Sequence, residues 1–300
     1  LKYTVLALSQ IAVGAAAIFA RFALQGAPPI AVAASRLVIA CAVLLFIAAL
    51  RREGARVAPR DRPVLIAAGI ALAVHFGSWI WSLEYTSVAV STLLVATTPI
   101  WTALYDSVVH RRHLTAIAWG AFVVGAAGLV LVVGFNTTTP PIEGHEILGG
   151  ILALLGAFAI GAYFILVRVV RSAYGTRAII TQTYSWSAAA LVVASAAAHQ
   201  SPPALSDAQA WGGILAMAFV SQLLGHTGMN ASLRWFSPSA VAMSTLFEPV
   251  IAAVLAFFIF SETLTPLALA GGALVLIAVA AFLREEAARE GTNRLGPLQA

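Results

Sequence analysis

The chain has 300 residues, of which 61% are hydrophobic and 10% charged. Soluble domains carry about 45–50% apolar and about 25% charged residues, so 12 acids and 17 bases cannot solvate a water-exposed globule of this composition, and disorder is excluded by the same apolar content. A single cysteine, Cys41, leaves no disulfide framework or cysteine metal cluster, and the net charge of +5 sits in short clusters between apolar runs, not along one face as nucleic-acid binding requires.

A helix needs about 20 apolar residues to cross the hydrocarbon core. In chain order the predicted spans are Tyr3–Leu24, Ile30–Leu50, Pro63–Ser82, Ser87–Val109, Thr115–Phe135, Ile147–Val169, Ala178–His199, Gln209–Asn230, Ser237–Phe260 and Pro266–Leu283. Turn chemistry separates them at Gly26-Ala27-Pro28-Pro29, Arg60-Asp61-Arg62-Pro63, Thr139-Pro140-Pro141, Ser201-Pro202-Pro203 and Ser237-Pro238. The weakest boundary is Ser82–Ser87, which could be a bend within one long hairpin. No segment alternates apolar and polar residues as a barrel strand must. The first span has a basic residue ahead of its apolar run and a small-residue stretch at Gly14–Ala17, as cleaved signals do. Removing it would leave nine spans and break the repeat described below, so it is read as a span.

Numbering the connections in order, the even ones and the two termini hold Lys2, Arg51, Arg52, Arg56, Arg60, Arg62, Arg111, Arg112, Arg168, Arg171, Arg177, Arg234, Arg284, Arg289 and Arg294, or 15 of the 17 bases. Odd connections hold only acids: Glu84, Glu143, Glu146, Asp207 and Glu262. The positive-inside rule then places both termini in the cytoplasm. Arg21 and Arg36 lie inside apolar runs.

Sliding the chain 150 positions along itself aligns Ser82-Leu83 with Ser232-Leu233, Ser87 with Ser237, Pro99 with Pro249, Leu114-Thr115 with Leu264-Thr265 and Ala118 with Ala268. Charge is exchanged in the same alignment, Glu84 meeting Arg234 and Arg112 meeting Glu262. Five spans per half is an odd number, so the second half enters the membrane from the opposite side, and each connection faces the compartment opposite to its repeat partner. The expected fold is an all-α integral membrane bundle of ten transmembrane helices in two inverted five-helix repeats. Its units are residues 3–135, an outer linker 136–146, residues 147–284 and a cytoplasmic tail 285–300. Such repeats are a transporter architecture with the substrate site near the bilayer midplane, although channels and structural membrane proteins are also duplicated.

Polar groups inside spans are costly unless they face a cavity or a partner. The third span offers His75, Ser78, Trp79 and Ser82, and the eighth, its repeat partner, offers Gln222, His226 and Asn230. Either the two histidines form a midplane polar site for substrate or each satisfies a neighbouring helix carbonyl. Pro99 and Pro249 free the carbonyls of Val95 and Thr245 and are candidate hinges. Glu248 could bind a substrate ammonium, relay a proton or pair with a base such as Arg36. Trp79, Trp101 and Tyr163, with Tyr105 four residues beyond Trp101, supply rings suited to an amphipathic amino acid or to ordinary packing. The candidate substrate-binding set is His75, Trp79, Trp101, Tyr163, Gln222, His226 and Glu248. His110-Arg111-Arg112-His113 has metal-like spacing but reads as a basic loop, and Asn136-Thr137-Thr138 fits a glycosylation sequon. Phosphate loops, zinc motifs and nucleophile elbows are lacking, so no cofactor, metal or ATP hydrolysis is expected.

The stretch Ser82–Leu114, with Tyr85-Thr86-Ser87 and Thr98-Pro99, resembles the end of an EamA domain, and Ser232–Leu264, with Phe247-Glu248-Pro249 and Phe260-Ser261-Glu262-Thr263-Leu264, resembles a second copy more closely. The chain resembles the drug/metabolite transporter superfamily over its whole length and, within it, is most similar to the YddG-type aromatic amino-acid exporters. Arg36 stands where that domain often has arginine, while Arg112 replaces the glutamate matched by Glu262. The resemblance implies ten helices, a central cavity lined mainly by spans 1, 3, 4, 6, 8 and 9, and peripheral spans 5 and 10. It also implies export from the cytoplasm across the inner membrane. The expected function is secondary transport of aromatic or other large neutral amino acids by alternating access. A carrier of other metabolites or drugs and a membrane-embedded enzyme are the competing readings; the oligomeric state is left open.

Overall fold

The computed structural model describes residues 1–50, 57–86, 88–109, 111, 114–134, 145–260 and 265–295, all of whose regular structure is helical. The calls on His110, Arg112 and His113, on the Asn136 sequon, on Glu262 and on Arg51, Arg52 and Arg56 fall outside the described residues.

Several helices begin where the sequence supplies a cap or a proline. Asp207 accepts from the Ala210 amide at 2.9 Å to open α10 (Ala208–Ala216). Ser237 accepts from the Ala240 amide at 3.1 Å, with Pro238 opening α12 (Pro238–Ser244). The other helices are α1 (Lys2–Gly14), α2 (Ala16–Ala23), α3 (Pro29–Leu50), α4 (Arg62–Tyr85), α5 (Val88–Val95), α6 (Thr98–Val109), α7 (Ala116–Gly134), α8 (Glu146–Val170), α9 (Thr176–Ala197), α11 (Thr227–Ser232), α13 (Phe247–Phe260) and α14 (Pro266–Leu295). A 3₁₀ turn, Pro59–Asp61, precedes α4, and a π-helix, Met217–His226, joins α10 to α11. Among the described residues six helical stretches are long and apolar enough to cross a membrane, and Ala116–Leu131 is a shorter apolar helix.

Three features refine the predicted spans. Before the Ser82–Ser87 boundary closes, α4 runs on to Tyr85, and extended Thr86 ends it by donating its amide to the Ser82 carbonyl at 2.9 Å. Spans 4 and 9 are each broken ahead of their proline, between α5 and α6 and between α12 and α13. Finally α14 carries on past Leu283 to Leu295, through residues expected to form a tail.

The halves of the chain pack against each other in a pattern that is unchanged when they are exchanged. α4 lies on α8, and α1–α2 lie on α10, the π-helix and α11; these two pairs swap under the exchange. α3 lies on α9 and α7 on α14, and each of these pairs maps onto itself. The self-paired helices run antiparallel: Phe122 meets Phe282, with ring centroids 5.4 Å apart, while Gly128 abuts the Gly271 carbonyl. Likewise the Ile30 amide donates to Gln200 at 2.8 Å at one end of α3, and Cys41 meets Ser185 at 3.2 Å farther along.

Glycine sets how closely these helices approach. A Cβ on Gly213 would lie 2.5 Å from the Phe19 carbonyl oxygen and 2.7 Å from the Ala23 nitrogen, whereas one on adjacent Gly212 would meet nothing within 4 Å. Backbone cannot give way as a side chain can. Gly213→Ala should therefore lower stability by about 1–3 kcal/mol, while Gly212→Ala leaves it unchanged or slightly raised, as read from thermal melts of the two purified variants in one detergent.

The connections segregate into two ends. At one, Lys2 and Tyr3 meet Phe236, and Tyr174 donates to Asp61 at 2.6 Å. At the other, Gln209 reaches Gln25, and Gln200 caps the start of α3. Arg36, by contrast, is wholly buried in the bundle.

Candidate functional site

Where the two halves meet, a cavity is lined by Val13 and Ala16, His75 and Trp79, Val95 and Thr98, Ile160, His226 and Met229, and Thr245 and Glu248. These residues come from spans 1, 3, 4, 6, 8 and 9. The cavity holds about 30 Å³, well below the roughly 300–1,000 Å³ of pockets that enclose small molecules. A second narrow space of about 20 Å³, lined by Gly14, Ala17, Thr92 and Ala252, shares Val13, Trp79, Val95 and Glu248 with it. Glu248 thus borders both spaces.

Each polar wall residue is placed by its own helix. His75 Nδ1 hydrogen-bonds the Gly156 carbonyl at 2.9 Å, and its ring lies parallel to Trp79 with centroids 6.2 Å apart. That bond satisfies the helix-carbonyl reading for His75 while leaving its ring against the cavity. Gly156 permits it by packing directly on Ser78 and Trp79. His226 stands 6.2 Å from His75 between ring centroids, and its buried Nδ1 has no hydrogen-bond partner. It ends the π-helix, whose hydrogen bonds reach one residue farther than in an α-helix; such insertions concentrate at functional sites.

The proline breaks present hydroxyls to the cavity. Thr98 donates to the Val95 carbonyl at 2.7 Å, the group that Pro99 leaves free. In the second half the Thr245 carbonyl accepts the Glu248 amide at 2.9 Å, and Thr245 Oγ1 donates to Ala242 at 2.8 Å. The breaks in spans 4 and 9 are therefore locally satisfied and bring Thr98, Thr245 and Glu248 to one wall.

Behind this wall is a fully buried layer. Arg36 donates to Gln222 Oε1 at 2.7 Å and stacks 4.1 Å from the centre of the Phe76 ring, whose edge contact with His226 is 4.9 Å between centroids. Arg36 Nε and Gln222 Nε2 are buried without partners, and the guanidinium contacts Met217, Gln222 and Phe76, none of them a carboxylate. A carboxylate pairing with Glu248 is thus not formed. Gln10 donates to Ser244 at 2.8 Å, a polar link between the halves.

Of the seven predicted binding residues, His75, Trp79, His226 and Glu248 share the cavity. Gln222 sits behind it with Arg36. Tyr163 is fully buried and donates to Asn230 at 2.8 Å. Trp101 lies away from the cavity, bonded to Thr97 at 3.3 Å and packed edge-on against Phe158, which is 55% exposed on the bundle's outer surface. Thr98 and Thr245 were absent from the predicted set. The signal for them was available: one hydroxyl immediately before Pro99, the other at the carbonyl Pro249 frees. Nothing in the sequence marks the π-helix.

Comparison with known proteins agrees with this architecture. The curated relatives include the pseudopaline exporter CntI of Pseudomonas aeruginosa, in strains UCBPP-PA14 and PAO1, each 23% identical over 246 residues, covering 82% of this chain and 83% of the relative. A solved crystal structure superposes with a TM-score of 0.79 at 14% identity, covering 96% of this chain and 98% of that one, and so shares the fold. The model of the EamA-like transporter family matches twice, over residues 1–134 and 147–284. The chain is a membrane protein built of two tandem EamA domains and belongs to the EamA-like transporter family.

Proposed function

We propose that the protein is a secondary transporter that exports amino acids, aromatic or other large neutral ones, across the inner membrane by alternating access. In this reading ten helices form two inverted five-helix repeats with both termini in the cytoplasm. Support comes from the antiparallel self-pairing of α7 with α14: a two-fold axis relating helices that run oppositely lies perpendicular to them, hence in the membrane plane. Residues 3–135 and 147–284 are then the two repeats.

The observation that carries the substrate reading is the composition of the shared cavity. Glu248 offers a carboxylate to an ammonium, the His226 ring backed by Arg36 offers a donor-rich, positive wall to a carboxylate, and Trp79 offers a face to an apolar or aromatic side chain. A space of about 30 Å³ admits no amino acid, so the walls must part for substrate, with the breaks before Pro99 and Pro249 as the hinges. Proton antiport would run through Glu248 or a histidine, and facilitated diffusion needs neither.

A second reading is favoured by the relatives, which are named as exporters of pseudopaline: a metabolite other than a free amino acid as cargo. The test is counterflow of labelled tryptophan in proteoliposomes against unlabelled competitors. Saturable exchange competed by phenylalanine and tyrosine supports the amino-acid reading. Loss of exchange for every amino acid, with chemically unaltered uptake of pseudopaline, favours the second.

A further inference from the structure

Away from the central cavity, the end of the bundle that holds Lys2 has an open cavity of about 690 Å³ between the end of α8, the turn into α9 and the turn after α11. Arg168, Arg171 and Arg234 line it together with Ser172, Gly175 and Thr176, and among the described residues its lining contains no acid. Arginines near a helix C-terminus commonly do no more than bond its last carbonyls, and some of that occurs here. Arg168 donates to the Leu233 carbonyl, and Arg171 donates to the Tyr174 carbonyl and, at 2.8 Å, to Thr176 Oγ1.

Those bonds do not use up the site. Arg171 is only 9% exposed, yet its Nε has no partner. The pKa of Arg171 lies below the usual guanidinium value because of burial and then the nearby charges of Arg234 and Arg168, which is what unneutralised like charges produce. α9 starts at this cavity with Gly175 as its N-cap, which has no side chain to cap the first amides, so a 22-residue helix directs its positive end there as well. Asp61 accepts a hydrogen bond from Tyr174 and lies outside the lining.

We propose that Arg168, Arg171 and Arg234 form an anion site that takes a phosphate group. Guanidinium forks match phosphate oxygens bidentately, and a group of one to two negative charges balances what the cavity leaves uncompensated. The cavity opens where the α8 span ends, so the phosphate of an anionic lipid reaches it from the membrane and a free phosphate reaches it from solution.

The experiment compares wild type, Arg234→Gln and Arg60→Gln, the last removing one exposed charge at the same end but away from the cavity. Arg234 is exposed, so its replacement avoids the fold disruption that Arg171→Gln risks. Full-length protein is placed in nanodiscs containing equal phosphatidylglycerol and phosphatidylcholine, and the lipid retained on release is counted by native mass spectrometry. Separately, inorganic phosphate is titrated against chloride at equal ionic strength and thermal stability is read. Preferential retention of phosphatidylglycerol, falling about fivefold in Arg234→Gln and unchanged in Arg60→Gln, supports the site with lipid as its source. Saturable stabilisation by inorganic phosphate that Arg234→Gln alone loses, without headgroup preference, supports it with soluble phosphate as its source. Identical behaviour of Arg234→Gln and Arg60→Gln in both arms overturns it.

Discussion

Glu248→Gln is expected to lower counterflow of a zwitterionic amino acid about 10- to 100-fold, because a hydrogen bond to a charged group contributes about 1.5–3 kcal/mol. The same substitution should leave the melting temperature unchanged or raise it. Glu248 borders both narrow spaces at the junction of the halves, and its backbone amide alone ties it to Thr245. A carboxylate inside a span costs about 2.5–3.5 kcal/mol by insertion scales, so its removal relieves the fold while depriving an ammonium of its counter-charge. This division separates a binding role from a structural one. Retained counterflow in Glu248→Gln would take the residue out of substrate recognition.

The second large effect is at Arg36. Arg36→Met fills much of the same volume but leaves Gln222 Oε1 without the donor it has at 2.7 Å. An unsatisfied buried acceptor costs about 1–3 kcal/mol, which sets the expected loss of stability. Adding Gln222→Met removes that acceptor and should restore much of the stability, since replacing a buried polar set by apolar groups of similar shape is often neutral. Transport should not return in the double variant, because the positive charge behind Phe76 and His226 is gone. Melting curves and counterflow on the same preparations read both quantities. Recovery of counterflow together with stability would make Arg36 a packing element.

Sequence reasoning reached the positions of the long apolar helices because the hydrophobic runs are long and their separators chemically distinct. It also reached the breaks in spans 4 and 9, since a proline inside an apolar run has a defined backbone consequence. Rotation about each helix axis was harder to read. Helices apolar on most faces carry little periodicity to say which side looks inward, so Trp79 and Trp101 were equivalent as rings in the sequence. Packing separates them, Trp79 against His75 and Trp101 against exposed Phe158. Tyr163 and Gln222 are polar groups bonded to other helices within the bundle, a role that residue type alone does not distinguish from cavity lining. The pairing of Arg36 with Gln222 joins residues 186 positions apart and has no local signature.

Everything above depends on the two halves facing opposite ways across the bilayer, which the positions of Glu84 and Arg234 report. Cys41 is the only cysteine and is buried, so single cysteines at 84 and 234 on a Cys41→Ala background can be probed in intact cells with a membrane-impermeant maleimide. The account predicts that Glu84→Cys is labelled from outside and that Arg234→Cys is labelled only after the membrane is opened. Labelling of both from the same side would contradict it.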